Sequence, residues 1–255
     1  MKSWNRELKL AIKAGIKAKE IVMEIYNKPF AVEIKDDDSP VTSADKKCDK
    51  FLRDYLSKHF PTYGFLTEES YDDFKRLKKK LIWIIDPVDG TKDFVAKDNE
   101  FAINIALCYK HRIVVGVVVI PAYDEIYFAS LNHGAFYQKG QQNPVKIHVN
   151  DKITDLTVFS SVFHFTDEEK EIIERNKDRV SNVLKKGSAL KECLIAKGEG
   201  EVTIRTSGMT KEWDTAAPQI IVEEAGGVFL ARDGKEITYN REDVYNRTGY
   251  IVANR

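Results

Sequence analysis

The chain has 255 residues, 43% of them hydrophobic, enough for one large domain or two smaller ones with cores of their own. Forty basic residues balance forty acidic ones; this zero formal charge removes the electrostatic footprint of a general nucleic-acid binder, so an anionic ligand must be met by a local basic cluster. Cys48, Cys108 and Cys193 are odd in number and widely spaced, which favours reduced thiols over a disulfide framework or a zinc site. The longest apolar run, IVVGVVVIPA (113–122), is too short to span a bilayer, and charges interrupt MKSWNRELKLAIKAGIKAKE where a signal peptide needs an apolar core. The expectation is a cytoplasmic protein with no membrane partner.

Apolar residues at 8, 12, 16, 21, 22, 25 and 26 predict an amphipathic helix over 8–26. A second helix is predicted over 44–60, burying Ala44, Cys48, Phe51, Leu52, Tyr55, Leu56 and Phe60, with Ser43 as its cap. KRLKKK (75–80) reads as a solvated charge run, and LIWII (81–85) as a buried strand that Pro87 ends. Residues 101–149 turn to a β pattern: FAINIALCY, IVVGVVVI, EIYFAS, GAFYQ and VKIHV. Beyond 150, strands and helices alternate: LTVFSS, a helix near 167–180, another from about 188, EVTIR, a helix over 214–225 stopped by Gly226-Gly227, and GVFLA followed by a hairpin turn at Asp233-Gly234. The pattern predicts two packed halves, 1–150 and 151–255, with a cleft between them as the natural place for a site.

Acids gather where apolar structure ends. In IIDPVDGTKDF (84–94), Asp86 stands before a proline and is pushed to extended backbone, while the turn brings Asp89 round to the same side. Between them Val88 offers only a carbonyl, and such all-oxygen ligands suit a hard cation such as Mg²⁺. Gly90 lets the backbone approach a ligand, and Thr91 supplies a hydroxyl beside N–H groups able to hold a phosphate. The plain alternative is a surface turn, built from ordinary turn residues. Glu68-Glu69 after GFLT, Asp214 after Trp213 and Asp45 in PVTSAD repeat the arrangement, although Asp214 and Asp45 also suit helix N-termini. Two carboxylates 4 Å apart repel by about 4 kcal/mol at an effective dielectric of 20. Four in one site would consume much of a stability of about 5–15 kcal/mol, so cations or protons must neutralise them.

PVTSAD (40–45), TEES (67–70), DPVDGT (86–91) and WDTAAPQIIVEEAGG (213–227), in that order and over nearly the whole chain, resemble the inositol monophosphatase superfamily of metal-dependent phosphatases. The resemblance implies α+β and α/β halves forming a layered αβαβα sandwich. It also implies Glu68, Asp86, Asp89, Asp214 and the Val88 carbonyl as metal ligands. Glu68 and Thr91 would activate the attacking water, with Asp45 as Thr91's partner or a water-held ligand. Mg²⁺ would be the cofactor, Li⁺ an inhibitor, and a homodimer is compatible with it. A catalytically idle nucleotide-binding scaffold should have lost some of Glu68, Asp86, Asp89, Thr91 and Asp214, and all five stand.

GTKDF (90–94), NEFAINIAL (99–107), GSALK (187–191) and KEWDTAAP (211–218) are closer to the 3′(2′),5′-bisphosphate nucleotidase branch than to inositol monophosphatases. That likeness implies hydrolysis of the 3′-phosphate of adenosine 3′,5′-bisphosphate, with an inositol or sugar monophosphatase as the rival reading. Gly90, Thr91 and Asp214 would meet the substrate, joined by Ser161, His164, Ser188, Lys191 and Arg205 for the nucleotide and its second phosphate. SSVFH (160–164) departs from the branch's Ser-Arg-Ser-His pattern in lacking the arginine before His164. Lys191 as an exposed helix lysine and Arg205 as a surface ion pair are the plain alternatives.

Overall fold

The computed structural model describes residues 3–35 and 40–255. Helix α1 (Asn5–Tyr26) forms where the periodicity places it, and Val22, Tyr26 and, at the edge, Leu8, Ile12 and Ile25 pack as expected, but the centre of the buried stripe is shifted. Ala11, Ala14, Gly15, Ala18, Val22 and Tyr26 face inward, while Ile16 is exposed. Small residues win because the helix lies tight on the sheet: a Cβ on Gly15 would stand 2.9 Å from Val119 Cγ2.

After the short pair β1 (Val32–Ile34) and β2 (Pro40–Thr42), α2 (Ser43–His59) packs beside α1, burying Ala44, Cys48, Leu52 and Leu56. Its cap is Thr42 rather than Ser43. The Thr42 hydroxyl accepts the Ala44 N–H at 3.1 Å, and Asp45 reaches back to the Thr42 N–H at 2.8 Å, a reciprocal capping box.

Seven strands form the first sheet in sequential order: β3 (Gly64–Thr67), β4 (Leu81–Asp89), β5 (Ala102–Tyr109), β6 (Arg112–Ile120), β7 (Glu125–Ser130), β8 (Gly134–Lys139) and β9 (Val145–Ile147). Only β3 and β4 run parallel within it. The charge run before β4 is not simply solvated. Arg76, on a 3₁₀ turn, is 3% exposed and donates to Asp72, to Asn240 Oδ1 at 2.9 Å and to the Arg241 carbonyl at 2.9 Å. A guanidinium is buried only with its donors answered, and two of these answers come from the far end of the chain.

The second sheet has the order β11-β10-β12-β14-β13, from β10 (Leu156–Ser161), β11 (Val180–Lys186), β12 (Val202–Arg205), β13 (Val228–Ala231) and β14 (Tyr250–Ala253). Helix α4 (Asp167–Arg175) stops short of the predicted 180, and VSNVLKK becomes the edge strand β11, a polar segment exposed along most of its length that carries no core pattern. The turn at Asp233-Gly234 is present, but no strand returns on it; β13 pairs with the distant β14.

Helices α5 (Leu190–Ala196) and α6 (Glu212–Glu224) fill the space between the sheets. On the other face of the first sheet, Trp83, Ile85, Ile103, Val115 and Val117 meet α1 and α2. The layers run helix pair, sheet, helix pair, sheet, with α4 outermost. Gly116 of β6 is required by this packing, since a Cβ there would meet Ala217 O and Ile220 Cγ2 of α6 at 2.5 Å. Among the described residues no helix is long and apolar enough to cross a membrane.

Candidate metal centre

Strand β4 does not end at Pro87; it continues through Asp89. In a regular strand, residues three apart point to opposite faces. Here Asp86 pairs with Asn104 and Asp89 with Ala102, so three steps along β4 match two along β5. This bulge inserts one residue and puts both carboxylates on the same side. The Val88 N–H bonds Asp86 Oδ1 at 3.1 Å and fixes the turn.

Parallel pairing of β3 with β4 sets Thr67 beside Ile85, so Glu68 emerges next to Asp86. Asp214 arrives on the first turn of α6. Its helix-terminal role is real, because it accepts the Lys211 N–H, and its carboxylate also reaches the cluster. One oxygen from each of Asp86, Asp89 and Asp214 lies within 4.8 Å of the others.

Burial and mutual repulsion shape the acids' titration. Burial, followed by the fields of Glu68, Asp89, Asp214 and Asp45, holds the Asp86 carboxyl well above the usual range. Burial lifts Asp89 to about 6 even though Lys191, Asn104 and the Ala189 amide pull it down. Burial and then Asp89 push Asp214 to about 8. On the Glu68 side, Lys35 Nζ donates to Glu68 at 3.0 Å and to Glu69. Asp86, Asp89 and Asp214 form a close, wholly oxygen donor set whose carboxyl pKa values stay raised despite Lys191, which fits a hard divalent cation and not a soft one.

A pH dependence follows. These acids bind protons more tightly folded than unfolded, so without metal their penalty is absent near pH 4 and grows as pH rises through about 8. A divalent cation such as Mg²⁺ would bind the ionised form. The difference in unfolding midpoint between Mg²⁺ and EDTA is therefore expected to widen from acid to alkaline pH. A difference that stays flat, measured by thermal unfolding, would count against a metal at these acids.

Thr91 opens α3 (Thr91–Ala96) after Gly90, which sits at φ 82°, a left-handed conformation glycine adopts without strain. The Thr91 hydroxyl lies 3.2 Å from Asp45 Oδ1 and 3.1 Å from the Val88 carbonyl. Asp45 is buried, its pKa raised chiefly by desolvation, and it serves Thr91 and the α2 cap together.

The residues expected to meet the second phosphate divide. Lys191 is 6% exposed, not an exposed helix lysine; its ammonium donates to the Ser188 carbonyl and acts on Asp89. Arg205 forms an ion pair with Glu169, but a buried one at 3.4 Å, and donates to the His164 carbonyl at 2.7 Å. The Ser161 hydroxyl accepts the His164 N–H at 3.1 Å, and the Ser188 hydroxyl donates to the Glu100 carbonyl at 2.7 Å. His164 is exposed at its edge, yet desolvation and then the charges of Lys92, Arg205 and Lys191 lower its pKa to about 4. The imidazole thus stays neutral under the charges of three cations.

Sequence reasoning passed over Asn104, whose amide donates to Asp89 Oδ2 at 3.1 Å, and Lys92. A polar residue inside the apolar run FAINIAL was the available signal for Asn104. Lys92 and Lys35 carried none of their own, because a single lysine is an ordinary surface residue.

The inositol monophosphatase family model matches residues 4–255. The chain belongs to the inositol monophosphatase family. Within that family it is 31% identical over 254 residues to the 3′(2′),5′-bisphosphate nucleotidase CysQ of Haemophilus influenzae, covering 98% of this chain and 91% of that protein. The CysQ nucleotidase of Escherichia coli is also 31% identical, over 92% of this chain and 95% of its own. The crystal structure of CysQ from Bacteroides thetaiotaomicron superposes with a TM-score of 0.85 at 31% identity, covering 98% of both chains. That of the Thermotoga maritima IMPase superposes at 0.83 with 27% identity, over 98% of this chain and 92% of its own. This family member is a phosphomonoesterase with the inositol monophosphatase fold, and Asp86, Asp89 and Asp214 fit the divalent-metal site that family enzymes use.

Proposed function

We propose that this protein hydrolyses the 3′-phosphate of adenosine 3′,5′-bisphosphate to AMP and phosphate, with Mg²⁺ held by Glu68, Asp86, Asp89, Asp214 and the Val88 carbonyl. The observation that carries the substrate choice is Lys191, a buried ammonium on α5 whose charge reaches Asp89, with the charges of Lys92 and Arg205 also felt at His164. A bisphosphate brings a second dianion beyond the metal cluster, and a neutral chain needs dedicated Lys or Arg groups to meet it. The likeness to the CysQ nucleotidases supports the same reading.

Magnesium, when bound, would supply positive charge to the phosphoryl oxygens and make a neighbouring water more acidic. The chain's own groups do the rest. Thr91 donates its hydroxyl hydrogen to Asp45, which leaves an oxygen lone pair to accept from the attacking water. Glu68, beside Asp86, takes the water's other proton as the water oxygen bonds to phosphorus and the P–O3′ bond breaks, and a proton from solvent completes the 3′-hydroxyl of AMP. No thiol takes part: all three cysteines are buried, and burial comes first in raising each thiol pKa.

A phosphate-release panel with Mg²⁺ tests the assignment. Adenosine 3′,5′-bisphosphate is expected to exceed inositol 1-phosphate in kcat/KM. Lys191→Ala should raise KM for the bisphosphate by about ten- to a hundredfold, the worth of a charge-assisted hydrogen bond, and should narrow that gap. Because Lys191 also acts on Asp89, equal losses on both substrates would place it with the acid cluster instead. A preference for inositol 1-phosphate in the wild type would make this an inositol monophosphatase.

A further inference from the structure

We infer that Glu100 is a positioning residue for the metal cluster: it clamps the Gly187–Ala189 loop so that the Ala189 amide orients Asp89. This rests on the metal-centre reading and gives a role to a residue of NEFAINIAL that the sequence reading left without one.

Glu100 lies in the loop between α3 and β5 and is 8% exposed. Its Oε2 accepts the Gly187 N–H at 2.8 Å, its Oε1 meets Lys186 Nζ, and its backbone carbonyl accepts the Ser188 hydroxyl at 2.7 Å. One residue of the first half thus holds three successive residues of the second.

The loop it holds is strained. Ser188 stands at φ 45°, in the left-handed region that non-glycine residues avoid. Such a conformation persists only where the surroundings impose it, and it concentrates at functional sites. Gly187 is equally constrained: a Cβ there would meet Asp93 Oδ1 at 2.3 Å and Glu100 O at 2.6 Å.

The strained loop delivers two groups to the cluster. The Ala189 N–H donates to Asp89 Oδ2 at 2.7 Å, and the Ser188 carbonyl receives the Lys191 ammonium. Together with Asn104 at 3.1 Å, Ala189 anchors one oxygen, Oδ2, of the Asp89 carboxylate. Outer partners of a ligating carboxylate commonly set metal affinity by about 10–100-fold. Glu100 stands one step further out and acts through the loop.

The test is Mg²⁺ titration by calorimetry on the full chain, with unfolding midpoints in EDTA taken in parallel. Glu100→Gln, which keeps the shape and loses the charge-assisted clamp, is expected to weaken Mg²⁺ binding by about tenfold or more. Gly187→Ala, which pushes the loop off Asp93 and Glu100, should do the same. Lys186→Met leaves the Gly187 and Ser188 bonds in place and should stay within about twofold of wild type. A folded Glu100→Gln or Gly187→Ala with wild-type affinity, even with a lowered midpoint, would reduce Glu100 to a structural contact and overturn the inference. Lys186→Met losing as much as Glu100→Gln would overturn it too, because charge and not the clamp would then be at work. If Glu100→Gln does not fold, Gly187→Ala decides. A wild-type protein that binds no Mg²⁺ would instead sink the metal-centre reading, and Glu100's role with it.

Discussion

Asp89→Asn is expected to abolish turnover, by on the order of 10³-fold or more, while the protein stays folded. The side chain keeps its shape, and an amide oxygen can still accept from the Ala189 N–H and from Asn104. What disappears is one negative charge among oxygens less than 5 Å apart. Without metal that loss relieves repulsion: Asp89 raises the pKa of both Asp86 and Asp214. The unfolding midpoint in EDTA should therefore hold or rise. With metal the sign reverses. A cation at a hundred times its dissociation constant stabilises the native state by about 2.7 kcal/mol, and the variant should lose most of that increment. Phosphate release and thermal unfolding, each with and without Mg²⁺, measure both halves. Near wild-type activity with an unchanged metal response would make the acids ordinary turn residues.

Thr91→Ala is expected to lower kcat by about 10²–10⁴-fold and leave KM nearly unchanged. The hydroxyl touches Asp45 and the Val88 carbonyl, not the cationic group assigned to the second phosphate, so its loss should fall on the chemical step. The fold should tolerate the change, because Asp45 keeps its two bonds to Thr42 and the start of α2 stays capped. Thr91→Ser, which restores the hydroxyl, should recover most of the rate. Steady-state kinetics on both variants decide the matter, and a change confined to KM would move Thr91 from water activation to substrate holding.

The acids were legible because each sits at a junction written in local code. An apolar strand stopping at Asp-Pro, or a helix start marked by Trp-Asp, needs no distant partner to be read. That Asp86 and Asp89 share a side was legible, but the means was not. Both were expected on one side, but through a strand ending at Pro87, whereas the structure does it with a bulge inside a strand that runs on. Helix α1 shows a similar limit. Hydrophobicity favoured Ile16 for the core, but the closeness of the sheet, which sequence periodicity does not encode, gave that place to Ala14, Gly15 and Ala18. Arg76 reads as one cation among lysines until residues 240 and 241 arrive to receive it.

By itself, then, the sequence determined the family, the succession of most strands and helices, and the carboxylates of the site. Those follow from periodicity, turn residues and charge placement over a few neighbouring positions. Tertiary structure alone decided what holds those carboxylates and what faces them: the Ala189 amide on Asp89 from 100 residues away, the Gly187 amide on Glu100 from 87 away, and the burial of Lys191 and Arg205. The physical reason is that a hydrogen bond to a backbone amide, or the desolvation of a cation, depends on which surfaces meet when the two sheets close over α5 and α6. No residue type marks that in advance, since any residue but proline could have supplied the amide that Ala189 does.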